Sequence, residues 1–131
     1  MKYHFIVDLD SPDVFRQMQE QKAFAGPYFD GIDEGEAILL TTESGRIREL
    51  TKRHARDAVA AVVEDDAPET VLNALQPLIC QEDLYLFSGE EQNAALAVRL
   101  GARTGGSSTN NIHAVLPGSG QRLKVKRMMY A

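Results

Sequence analysis

The chain has no tryptophan, a single cysteine and no apolar run longer than a few residues. Each shortage closes off a class of protein. A lone Cys80 cannot form an internal disulfide, so nothing calls for an oxidising compartment. No stretch approaches the roughly 20 apolar residues of a membrane span, and no leader peptide is legible, so a cytoplasmic location is expected. Positive charge is in deficit: 14 Lys and Arg stand against 19 Asp and Glu, a net charge of −5. Broad binding to nucleic acid or to a membrane surface is therefore not expected. The spaced glycines of a phosphate loop, the Cys/His spacing of a zinc site and a catalytic triad are all missing. His4, His54 and His113 fall in three different predicted elements, where structural roles are expected.

What is present suits one ordinary folded domain. With 131 residues, 44% hydrophobic and 25% charged, the chain can bury roughly two-thirds of its unfolded surface without disulfide or metal staples. Its organising stretch runs from Asp83 to His113. Leu84-Tyr85-Leu86-Phe87 reads as a strand buried on both faces. Ser88 and Glu91 form a capping box that opens a helix. Ala94, Ala95, Leu96, Ala97 and Val98 give that helix a small-residue surface, Arg99 and Arg103 share a side, and Gly105-Gly106 end it. Ser107 to Val115 reads as a further strand. The unit is strand–helix–strand, which favours parallel pairing.

Upstream, Tyr3 to Leu9 is the first predicted strand. Ser11-Pro12 opens a helix with Val14, Phe15, Met18 and Ala25 at helical spacing, and Gly26-Pro27 closes it. Tyr28 to Gly35 reads as a loop and Ala37 to Thr42 as a second strand. Ser44-Gly45 turns into a helix with Ile47, Leu50 and His54 on one face. Ala58 to Val63 reads as a third, buried strand. Asp66 caps a helix whose stripe is Val71, Leu72, Leu75 and Ile79, kinked or ended by Pro77. Downstream, Ile112–Leu116 and Leu123–Met129 flank a Pro-Gly-Ser-Gly turn and form a hairpin. The predicted fold is α/β: a Rossmann-like, three-layer α/β/α sandwich of the adenine nucleotide alpha hydrolase-like kind. Its sheet is mostly parallel, with the antiparallel C-terminal hairpin at an edge.

Candidate chemistry is sparse. Open α/β sheets place ligands at the turns that follow strands. The turn at Ser88 carries Glu90 and Glu91, which oppose an anion at the helix N-terminus. The turn at Ser44, Gly45 and Arg46 is the better nucleotide candidate, although simple helix capping explains it as well. Cys80 reads as a small buried hydrophobe. Asn110-Asn111 inside a strand is unusual and marks an edge, a bulge or a contact. The basic run Arg122, Lys124, Lys126 and Arg127 reads as a solvated strand face or a docking surface.

Leu84 to Gly89, the run Ala97-Val98-Arg99-Leu100-Gly101-Ala102-Arg103, and the ending Val125-Lys126-Arg127-Met128-Met129-Tyr130-Ala131 together resemble the N-terminal domain of the electron transfer flavoprotein α subunit family. The resemblance spans about Ala37 to the last residue. Val98 stands where the family commonly has proline, Asn110 where it has aspartate, and Asn93-Ala94-Ala95 replace a glycine–basic–aspartate run. The resemblance implies a single scaffold domain spanning 1–131 that packs against a β-like subunit in a heterodimer carrying FAD. The C-terminal domain that holds most of the flavin is absent from this sequence. No cofactor is expected in this chain alone, and the domain is expected to be an electron-transfer component rather than a catalyst. Asn110, Arg127, Met129 and Tyr130 are the interface candidates, and the isolated domain is expected to self-associate through that edge. The alternative is a stand-alone adenine-nucleotide-binding domain of universal stress protein type.

Overall fold

The computed structural model describes residues 1–29, 31–51, 58–87, 91–108, 112–117 and 123–127. It is a mixed α/β fold whose main sheet is parallel, compatible with a Rossmann-like arrangement. Strand β1 (Lys2–Asp8) lies inside that sheet. Its first half pairs with β5 (Leu84–Leu86), matching Tyr3 with Leu84 and Phe5 with Leu86. Its second half pairs with β3 (Ala37–Thr41), matching Ile6 with Ile38 and Asp8 with Leu40. The short β2 (Asp33–Glu34) pairs with Lys2 and Tyr3. Tyr3 thus has Glu34 on one side and Leu84 on the other, which puts β2 and β3 along one side of β1 and β5 along the opposite side. Strand β4 (Ala58–Val62) completes the order β5-β1-β3-β4.

Alternation along β1 divides its residues between two apolar clusters, as a strand of period two requires. Phe5, Val7 and Leu9 pack with Val14, Ala25 and Phe29 of α1 (Val14–Tyr28) and the residue after it. Ile6 packs with Ile38, Leu40 and Ala61, with Val71, Leu72 and Leu75 of α3 (Pro68–Leu75), and with Leu100 of α4 (Glu91–Thr104). Leu72 and Leu75 are wholly buried, as their spacing predicts.

Helix α1 differs from its sequence reading at both ends and on its face. It starts at Val14 rather than at Pro12, because Ser11 shapes the preceding turn: its hydroxyl accepts from the Asp13 N–H at 3.3 Å and from the Gln17 amide at 2.8 Å. It also runs through Pro27 to Tyr28. A proline removes one N–H, and the chain recovers at once with the Phe29 N–H on Ala25 O at 2.8 Å. Phe15 is exposed, whereas Gln17 and Gln21 are buried. The Gln21 amide donates to Ile6 O at 3.0 Å and Leu86 O at 3.1 Å, closing the ladder where β1 and β5 part.

The other elements need smaller corrections. Helix α2 spans Gly45–Thr51. Helix α3 begins at Pro68 with Ala67 at its N-cap, so Asp66 is not the cap; a proline in the first turn is already set for helical φ. Its end tightens into a 3-10 turn, Gln76–Leu78, around Pro77. Helix α4 ends as predicted: Gly105 adopts φ +74° and the Gly106 N–H reaches Gly101 O at 2.9 Å. Strand β5 is half-buried rather than enclosed on both faces. Strand β4 is also less buried than predicted, with Val62 54% exposed, because α1 packs over β1 and β3 and not over this last strand.

The C-terminal hairpin forms, but not as an edge of the main sheet. β6 (Ile112–Pro117) pairs antiparallel with β7 (Leu123–Arg127), with an irregularity between Ile112 and Ala114. Among the described residues these two strands make a separate sheet, so the expected parallel closure of β5, α4 and the next strand does not occur. Ser107 and Ser108 are not strand. Antiparallel partners close through a short local connection, which is entropically cheaper than recruiting a strand across the sheet.

Candidate functional site

Parallel strands direct their carboxyl ends to one side, and there β1, β3 and β4 release three acidic turns. Together they line an open cleft of about 730 Å³. β1 supplies Asp8, Asp10 and Asp13, the β3 turn supplies Thr42, Glu43 and Arg46, and β4 leads into Glu64, Asp65 and Asp66.

Asp10 ties the first two turns together. Its Oδ1 accepts from the Thr41 hydroxyl at 2.7 Å, and its Oδ2 accepts from the Thr42 N–H at 2.8 Å and the Thr42 hydroxyl at 2.7 Å. Burial pushes the Asp10 carboxyl up, but the hydrogen bonds from Thr42 and Thr41 and the nearby Arg46 charge outweigh it and hold the group below the usual carboxylate range. Arg46 is heavily engaged. Its Nη1 donates to Leu9 O at 3.2 Å and its Nε to Glu43 Oε2 at 3.1 Å, with Asp10 Oδ1 at 3.9 Å.

Among the nucleotide candidates, Arg46 lines the cleft, whereas Ser44 and Gly45 do not. Nothing lies within 4 Å of the place a Gly45 Cβ would take, so no close approach demands glycine there. The cleft's acids disfavour phosphate, and the pyrophosphate of FAD does not fit this set of donors. Among the described residues no three His, Cys, Asp or Glu side chains converge to hold a metal ion.

The remaining candidates are dispersed. Asn110, Met129 and Tyr130 lie outside the described residues, as do His54, Ser88 and Glu90. Arg127 ends β7, paired with Ile112. Cys80 is exposed rather than buried, and its N–H donates to the Tyr85 hydroxyl at 2.7 Å. The polar end of α4 is a clamp to α3: Arg103 bonds Glu69 and, at 2.9 Å, Asn73, while Arg99 lies 3.3 Å from Glu69. The sequence reading did not gather Asp8, Asp10, Glu64 and Asp65 into a site, and it gave Asp66 only as a helix cap. The signal was there, since Asp8 and Asp10 flank the end of the first predicted strand and Glu64-Asp65-Asp66 follow the third. It also passed over a bonded His4–Asp83 pair at the opposite end of the sheet.

No helix among the described residues is long and apolar enough to cross a membrane. No protein-family model, curated protein or solved structure matches the chain.

Proposed function

We propose that this chain is a scaffold and subunit-contact domain of the electron transfer flavoprotein α type, a single three-layer Rossmann-like body that works through its surfaces. The observation that carries the reading is the acidic cleft. An open parallel sheet would present a nucleotide at the carboxyl ends of its strands, and here those ends offer carboxylates and an engaged arginine. A domain with that site closed to phosphate serves by contact. In an assembled heterodimer, FAD would be held by the partner subunit and by a second domain.

The runner-up reading, an adenine-nucleotide-binding domain of universal stress protein type, is favoured by the parallel sheet and the position of the cleft. Two measurements separate them. Co-expression with an electron transfer flavoprotein β subunit should give a complex stable to size exclusion. Calorimetry of the chain alone with ATP, AMP and FAD should show no micromolar binding. A micromolar Kd for ATP or AMP together with no complex would overturn the proposal in favour of the alternative.

A further inference from the structure

We infer that His4 is a pH-operated latch at the amino end of the sheet, tying β1 to both of its neighbours as an imidazolium and releasing one of them on losing a proton.

The geometry begins with the strand. Tyr3 and Phe5 pack with the cluster under α1, so His4 between them faces the opposite side. Its Nδ1 lies 2.8 Å from Glu36 O, in the link between β2 and β3. Its Nε2 lies 2.8 Å from Asp83 Oδ2, immediately before β5. A carbonyl and a carboxylate only accept hydrogen bonds, and a neutral imidazole carries one N–H. Only the doubly protonated ring satisfies both partners. Asp83 is fixed in turn, because its Oδ1 accepts from the Lys2 N–H at 2.9 Å.

The ring has little freedom to turn away. Tyr85 lies flat against it, with centroids 4.8 Å apart and planes 13° from parallel, an arrangement that favours a cation. Beside the ring is Gly35, where an added Cβ would come within 2.3 Å of the His4 ring. The His4 and Asp83 side chains are only 13% and 15% exposed.

The charged and titratable groups around the ring come from each neighbouring element. Asp83 and Tyr85 belong to the β5 side, Glu34 and Glu36 to the β2–β3 side, and the Met1 amino group and Lys2 to β1 itself. Burial pushes the Asp83 carboxyl up, but the hydrogen bonds from His4 and Lys2 and the charge of His4 outweigh it and hold it low. Burial pushes the Tyr85 hydroxyl up, so it stays neutral where histidine titrates.

The order of release follows. Keeping the proton on Nε2 preserves the bond to a charged acceptor, whereas the other tautomer would aim a lone pair at a carboxylate. The neutral ring therefore keeps Asp83 and turns the Nδ1 lone pair toward Glu36 O. The β2–β3 link loosens first. Its nearest reporter is the Gly35 N–H, bonded to Tyr3 O at 2.8 Å.

The test is NMR on uniformly nitrogen-15-labelled chain over about pH 5 to 9, the range in which histidines switch. Both His4 nitrogens should carry protons at the acid end, and at the alkaline end Nε2 alone should keep its proton. Exchange of the Gly35 amide, corrected for its intrinsic pH dependence, should then rise roughly ten-fold, as expected for one lost hydrogen bond to a charged group. The Leu39 amide in β3 should show no such step. His4→Phe keeps a ring against Tyr85 and should abolish the step. Should that variant not fold, Asp83→Asn should move the step to lower pH. A neutral His4 with one N–H throughout, or a Gly35 step that persists in His4→Phe or does not move in Asp83→Asn, would overturn the inference.

Discussion

Replacing Leu100 with alanine tests which face of α4 lies against the sheet. Leu100 is 4% exposed and packs with Ile6, Ile38, Leu40, Val71, Leu72 and Leu75. The change removes three buried carbons, worth about 2.4 kcal/mol at about 0.8 kcal/mol each. The cavity left between α3, α4 and the strands adds to this, since two well-packed helices cannot fully collapse into it, so the loss should be about 3 kcal/mol, within the usual 2–5 kcal/mol range. Leu96 sits one turn earlier and is only half-buried, so Leu96→Ala should cost less, about 1–2 kcal/mol. Val98 is 53% exposed, and Val98→Ala should cost about 0.5 kcal/mol or less. Urea unfolding followed by circular dichroism resolves these steps. With a slope of about 1–3 kcal/mol per molar, the Leu100 variant should lose roughly 1–3 M in midpoint. A Val98 variant less stable than the Leu100 variant would show that the helix is rotated from the orientation described.

Two further predictions follow from polar contacts. Asp10→Asn should flatten the acid limb of the stability curve. The native carboxyl is held below its ordinary value of 3.8, so its contribution is present above that value and lost as pH falls through the folded one. Urea midpoints from about pH 7 down to pH 3 should therefore fall less steeply in the variant than in the wild type, and identical slopes would count against the Thr41–Asp10–Thr42 tie. Gly35→Ala places a Cβ within 2.3 Å of the His4 ring and should cost about 1–3 kcal/mol. His4→Ala in the same chain should recover part of that loss, and purely additive losses would mean the two residues are not in contact.

The nucleotide titration reads the turns after β1, β3 and β4, where the cleft lies, and no cleft residue belongs to α4, β6 or β7. It is therefore informative even if no β subunit binds.

The sequence by itself determined the elements whose causes are local. The Val71-Leu72…Leu75 stripe makes α3, Gly105-Gly106 stop α4, Pro77 tightens the turn after α3, and two short neighbouring runs pair as β6 and β7. Each depends on residues within a few positions of one another. The tertiary structure decided what depends on neighbours distant in the chain. The order β5-β1-β3-β4 sets β4 at an edge and leaves Val62 exposed, although its sequence reads as buried. The gap between β1 and β5 explains why Gln21, polar by composition, faces inward to two carbonyls. The parallel direction of the strands gathers Asp10 and Glu64 at one cleft, and places His4 against Asp83 across 79 residues. Helical and strand periods fix which residues share a face, but only strand adjacency fixes what that face meets.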